Sequence, residues 1–158
     1  MLENCQSLQE HWGGVSEIID RWLEERREML VKYCELSEIN DFDGANNRHG
    51  SMVQSFCEVL VDYVSAGHFE VYEQLANEGK AFNDTEGLKQ GANLMNDIEA
   101  TTEVVLDFND KYLATDDLQT LAADLSSLGE TLAQRFEAED QMIGVLHDAH
   151  LEKLAEKA

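Results

Sequence analysis

The stretch Thr115–Leu146, TDDLQTLAADLSSLGETLAQRFEAEDQMIGVL, decides the fold class. Leu118, Leu121, Leu125, Leu128, Leu132, Arg135, Glu139, Met142 and Leu146 recur at steps of three and four, the spacing of one face of an α-helix. Thr115 is placed to cap that helix, with Asp116 and Asp117 at its positive end. Working back, Leu88, Met95, Ile98, Thr102, Val105 and Tyr112 form the inward face of a third helix, Glu86 to Tyr112. Ser51 with Gln54 makes a capping box that opens a second helix, striped by Val53, Phe56, Leu60 and Val64. Ser65-Ala66-Gly67 kinks or briefly interrupts it, and His68, Val71 and Leu75 continue the stripe. The first long helix reads from Val15 to Leu36, on Val15, Ile19, Trp22, Arg26, Met29, Tyr33 and Leu36. Gly13-Gly14 is expected to separate it from a short N-terminal helix around Ser7–Glu10. Asn40–Gly50 and Asn77–Asp84 read as loops, and Leu151–Ala158 is expected to fray. Proline is absent and no stretch alternates with period two. The expectation is an all-α antiparallel bundle of about four long helices plus a short N-terminal helix, forming one domain over residues 1–158.

The 158 residues carry 33 acidic and 11 basic side chains, a formal net charge of −22. A chain of this length buries about 68–70% of its unfolded surface and needs no disulfide or metal to hold a core. With 43% apolar residues it is not disordered as a whole. The charge argues against phosphate-backbone binding and against docking on anionic lipid, and favours a basic protein partner. No apolar run approaches the roughly 18 residues that span a bilayer, and Met1–Glu10 lacks the n- and h-regions of a signal peptide. Cys5, Cys34 and Cys57 match neither a disulfide framework nor a zinc motif, so free thiols and a cytoplasmic location are expected.

Polar residues on apolar stripes are the informative ones. Arg26, His68, Arg135 and Glu139 each occupy a position where an apolar side chain is expected. Buried charge is costly unless paired, so these groups either meet in an ion-pair cluster that fixes helix register or line a ligand pocket. A metal site is the sharper alternative, since bundles hold di-iron centres with Glu-x-x-His pairs. No Glu-x-x-His occurs, and His147 and His150 lie near the fraying end, so no metal ligand and no cofactor is assigned. Asp41-Phe42-Asp43-Gly44 fails as a calcium loop, because the sixth position is Asn46 and the twelfth Met52. No phosphate-binding glycine loop or Gly-x-Ser-x-Gly is present, and nothing favours an enzyme. Trp22 reads as core, whereas Phe69 and Tyr72, beside the break and near Asp62 and Glu70, are either core or anchors of a protein-binding patch.

Three blocks resemble a known family. Asp20-Arg21-Trp22-Leu23, then Leu60-Val61-Asp62-Tyr63-Val64-Ser65-Ala66-Gly67-His68-Phe69-Glu70-Val71-Tyr72-Glu73, then Arg135-Phe136 with Glu139-Asp140, are similar to the Rsd/AlgQ family of regulators of the primary sigma factor of bacterial RNA polymerase. Met1-Leu2-Glu3 and Trp12-Gly13-Gly14-Val15 resemble its AlgQ branch, which is linked to regulation of alginate.

The resemblance implies a helical bundle acting as an anti-sigma factor. Its partner is the C-terminal domain of the primary sigma factor, whose helix-turn-helix reads the −35 promoter element. Binding there blocks both promoter contact and docking on core polymerase. That reading element is basic because it neutralises phosphates, so an acidic partner complements it. The motif carries over Asp62, Ser65, Phe69 and Tyr72, with Arg21 and Trp22, as partner-binding candidates. Asp62 is the leading contact for a sigma arginine, and His68 the leading inward polar residue, with Arg26, Arg135 and Glu139. The blocks assign no contact to the third helix.

Overall fold

The structure, a computed structural model, describes residues 2–157, with side chains from Ser7 to Glu156, so Cys5 falls outside the described side chains. Four helical rods make up the architecture: α1 (Leu2–Ser37); α2 (Asn47–Ala66) running through a π-helical turn, Gly67–Val71, into α3 (Tyr72–Ala81); α4 (Thr85–Ala114); and α5 (Leu121–Ile143) running through a second π-helical turn, Gly144–Asp148, into α6 (Ala149–Lys157). Among the described residues there is no strand. No helix in them is long and apolar enough to cross a membrane. α1 packs along α2 and α4 along α5, with α2 against α4 joining the two pairs.

Every residue of the Thr115–Leu146 stripe from Leu118 to Leu146 is buried, the two charged members included. The other stripes are buried mainly through Val15, Ile19, Trp22, Met29 and Leu36 on α1, Val53, Phe56, Leu60 and Val64 on α2, and Ile98, Val105 and Tyr112 on α4. Phe108, Tyr63 and Cys57 also join this core.

Several boundaries differ from the sequence expectation, each for a local reason. The break at Gly13-Gly14 does not occur; α1 is continuous from Leu2, so there is no separate N-terminal helix. Two mid-helix glycines cost about 1 kcal/mol each against alanine. Trp12 offsets this by donating its indole N–H to the His147 carbonyl at 3.2 Å and stacking on the His147 ring at 4.6 Å. Helix α2 starts at Asn47 instead of Ser51, because the Asn46 side chain accepts the backbone N–H groups of Arg48 at 2.9 Å and His49 at 3.4 Å. Thr115 caps no helix: it is extended, its hydroxyl accepts the Asp117 N–H in a local turn, and α5 begins only at Leu121. Nor does the chain fray at Leu151, since His150 is fully buried and Leu154 is 8% exposed.

The interruption at Ser65-Ala66-Gly67 is the first π-turn. A π-turn takes an extra residue into one turn and rotates the downstream residues about the helix axis. Gly67 therefore takes the inward place and His68 is turned out to solvent. A Cβ at Gly67 would sit 3.0 Å from the Tyr72 hydroxyl and 3.1 Å from Trp22, so glycine allows these two rings to close over the backbone.

Candidate functional site

Three of the four predicted interior residues meet at the centre of the bundle. Glu139 on α5 is 1% exposed and accepts hydrogen bonds from the Tyr63 and Tyr72 hydroxyls, one on each carboxylate oxygen. Arg135, one turn earlier, places Nε 3.3 Å from the same carboxylate. Its other nitrogens donate to the Thr101 and Thr102 hydroxyls at 3.0 and 2.9 Å and to the Tyr72 oxygen at 3.1 Å. From α1, Arg26 reaches Glu139 at 3.4 Å and Asp140 at 2.7 Å, and donates Nε–H to the Tyr63 oxygen at 2.9 Å. Its guanidinium lies 4.6 Å from the Phe136 ring centroid. Each tyrosine thus passes a hydrogen bond from an arginine to the buried carboxylate.

Two guanidiniums face Glu139 and Asp140, so the cluster is close to neutral. Burial raises the Glu139 pKa, against the opposing pull of Arg135 and the two tyrosine hydroxyls. Burial, with Glu139 beside them, also pushes both tyrosine hydroxyls up, which keeps them protonated donors. For Arg26 burial acts downward, but Tyr63, Asp140 and Glu139 outweigh it and the net shift is upward. Apart from Arg135 Nε, which reaches Glu139 only as an ion-pair contact, the polar groups here pair with one another, as buried charge requires.

His68 does not belong to this cluster. The first π-turn leaves it exposed, with its ring against the edge of Phe69 at 4.8 Å. Of the predicted partner-binding residues, Trp22 and Tyr72 are interior: Trp22 is core, as its place on the α1 stripe requires, and Tyr72 is core and not an exposed anchor. Trp22 is 2% exposed, stacks on Tyr63 and donates its N–H to the Tyr63 carbonyl at 3.1 Å. Tyr72 is spent on Glu139 and Arg135. Asp62, Phe69 and Arg21 are exposed and Ser65 is half-buried, so these four remain accessible. Asp62 stands on the outer ridge of α2 within an acidic patch: Asp62 and Glu70 both act on Glu25 of α1, whose pKa is raised by burial first and by those neighbours next.

A second buried polar cluster, unassigned by the sequence reading, closes the far end. Glu78 on α3 is fully buried, with both carboxylate oxygens 2.8 Å from His147 Nδ1. His150 lies 3.6 Å from Glu78 through Nδ1 and 2.9 Å from Asp84 through Nε2, and Phe82 stacks on its ring at 4.3 Å. Its sequence signal is the pair His147 and His150, one turn apart, which the expectation of a frayed terminus sets aside. Among the described residues no group of three or more His, Cys, Asp or Glu side chains is arranged to hold a metal ion. Cys57 is buried, which pushes its thiol up to about 11, whereas Cys34 is exposed.

A family model described as regulator of RNA polymerase sigma(70) subunit, Rsd/AlgQ, matches residues 1–147. The chain belongs to the Rsd/AlgQ family. It is 36% identical over 153 residues to a protein named Regulator of sigma D from Pectobacterium carotovorum subsp. carotovorum, a match covering 94% of this chain and 99% of that one. A protein of the same name from Enterobacter sp. is 34% identical over 156 residues, with 96% and 93% coverage. Another, from Yersinia enterocolitica, is 31% identical over 148 residues, with 90% and 88% coverage. The Rsd/AlgQ match contains the whole Arg26–Arg135–Glu139 cluster and ends at His147, before α6. Membership makes this a regulatory protein of the sigma factor and not an enzyme.

Proposed function

We propose that this protein binds the C-terminal, −35-reading domain of the primary sigma factor in the cytoplasm and holds it away from core RNA polymerase and promoter DNA. The observation that carries the reading is the ridge of exposed Asp62 and Phe69, with half-buried Ser65 between them, on α2 and the first π-turn, set in an acidic patch on a chain of net charge −22. A DNA-reading helix-turn-helix presents Arg and Lys, so the charges steer encounter and orientation, while exposed apolar groups such as Phe69, 72% exposed, supply anchoring area. Sequestration is stoichiometric and needs no catalysis. The buried cluster behind the ridge holds α1, α2 and α5 in register.

Titration calorimetry of the full chain against the isolated sigma C-terminal domain, at two salt concentrations, tests this. The expected result is 1:1 binding that weakens with salt. Asp62→Ala is expected to weaken binding about tenfold while changing folding stability by no more than about 0.5 kcal/mol, the range of surface substitutions. Absence of binding at both salts rejects the reading; a clear drop in Tm for Asp62→Ala would remove Asp62 from the contact surface.

A further inference from the structure

The first π-turn does more than expose Phe69: it sets that ring at the mouth of a cavity of about 430 Å³ between α2 and α4. Phe69, Met95 and Leu106 give the cavity apolar walls, and Glu99 and Glu103, one turn apart on α4, stand at its rim. Leu106 is 41% exposed. The cation in the lining, Arg135, is already held by Glu139, Tyr72, Thr101 and Thr102. An apolar slot with two unneutralised carboxylates at its lip fits a long basic side chain, whose methylenes lie on the walls while its charge stays at the rim. The same α2–α4 groove continues toward the other end of α2 as a second cavity of about 560 Å³, lined by Glu58, Val61, Asp62 and Leu113. Leu113 is 65% exposed. Apolar groups therefore run along the groove floor and carboxylates stand at both ends. Glu58 to Phe69 spans eleven helical steps, about 16 Å or three turns of a docked helix at roughly 1.5 Å per residue.

We infer that the α2–α4 groove is a docking site for a basic amphipathic helix, with Glu99 and Glu103 of α4 receiving an arginine or lysine at one end and Glu58 and Asp62 receiving another about three turns away. This deepens the proposed function and rests on it: the helix is one of the sigma C-terminal domain, and α4, to which the sequence motifs assign no contact, supplies one wall.

The test is calorimetry of the full chain against that isolated domain at two salt concentrations, with three variants. E99Q/E103Q is expected to weaken binding about tenfold at low salt and less at high salt. Phe69→Ala is expected to weaken it about tenfold at both. E152Q/E156Q on the exposed face of α6 removes the same charge elsewhere and is expected to change affinity less than twofold. If the wild-type protein binds but E99Q/E103Q behaves like E152Q/E156Q and Phe69→Ala is silent, the groove assignment is overturned while the sigma reading stands. If the wild-type protein does not bind the domain, the sigma reading falls. The groove is then probed by NMR with a designed Leu/Arg amphipathic peptide. Shift changes centred on Glu58–Phe69 and Glu99–Leu113 keep a basic-helix groove, and no changes there reject it.

Discussion

The two π-helical turns make an instructive pair. Each begins at a glycine, Gly67 or Gly144, joins two α-helical segments of one rod, and carries a histidine. The first turns its histidine, His68, out to solvent, with Phe69 beside it. The second buries its histidine, His147, against Glu78 and under Trp12. Identical backbone chemistry thus gives one displayed edge and one sealed joint. Two things differ: the histidine stands second in the first turn and fourth in the second, and the second turn packs against α3 and α4 as well as α1, whereas outside its own rod the first packs mainly against α1. π-turns favour functional positions because they offset side chains from the regular helical face. Here the offset displays one residue pair and locks another.

The pair also separates two polar clusters that respond differently when broken. Replacing Arg135 with alanine leaves the Glu139 carboxylate buried beside only one guanidinium, and is expected to cost about 3–5 kcal/mol in denaturant unfolding. The double change Arg135→Met with Glu139→Gln should recover part of that loss, since no uncompensated charge remains. Equal losses in the single and double variants would mean that packing volume, not charge, is what the site supplies.

At the sealed joint, His147→Ala removes the group nearest Glu78 and the stacking surface of Trp12. The expected cost is smaller, about 1–3 kcal/mol, with a change in Trp12 fluorescence before global unfolding. Unchanged fluorescence up to the main transition would show that α6 and the start of α1 do not loosen separately from the bundle.

The smallest effect is set by acid. At Asp124, burial acts upward, but hydrogen bonds from Lys111 and Tyr112 prevail and the pKa falls below 3.8. Asp84 is lowered against the same opposing burial by the Gly87 N–H and His150. Both carboxylates release their protons more readily folded than unfolded. Their stabilisation is present above 3.8 and is lost as pH falls through the folded value. Asp124→Asn should therefore flatten the fall of Tm below pH 3.8 relative to the parent chain. Glu139 has the opposite sign: its raised pKa makes its contribution decline as pH rises above 4.5. A Tm profile whose acid limb is unchanged in Asp124→Asn would assign that limb to other carboxylates.

Much of this was legible along the chain. Every residue named by the stripe is buried, because from Leu121 to Met142 its members repeat on one face of α5; Ala138 and Ile143 are buried beside them without being on it. Arg26, Arg135 and Glu139 were readable as a cluster because charge on an apolar stripe requires a partner. His68 obeyed the same rule and broke it in space, since the π-turn rotated it off the face. His150 was missed for a complementary reason: a short polar terminal segment reads as frayed until Asp84, Glu78 and Phe82 are brought to it from a distant turn.

The sequence by itself determined the all-α class, the helical faces, the excess of negative charge and the family. These rest on local periodicity, composition and residue blocks, none of which depends on what lies across the bundle. Tertiary structure alone decided which side of the π-turn His68 takes, that Tyr72 faces inward while Phe69 does not, and that α4 brings Glu99, Glu103 and Leu106 to the edge of α2. The physical reason is that burial and charge pairing belong to contacts between rods, and a single helix carries no record of which neighbour will cover it.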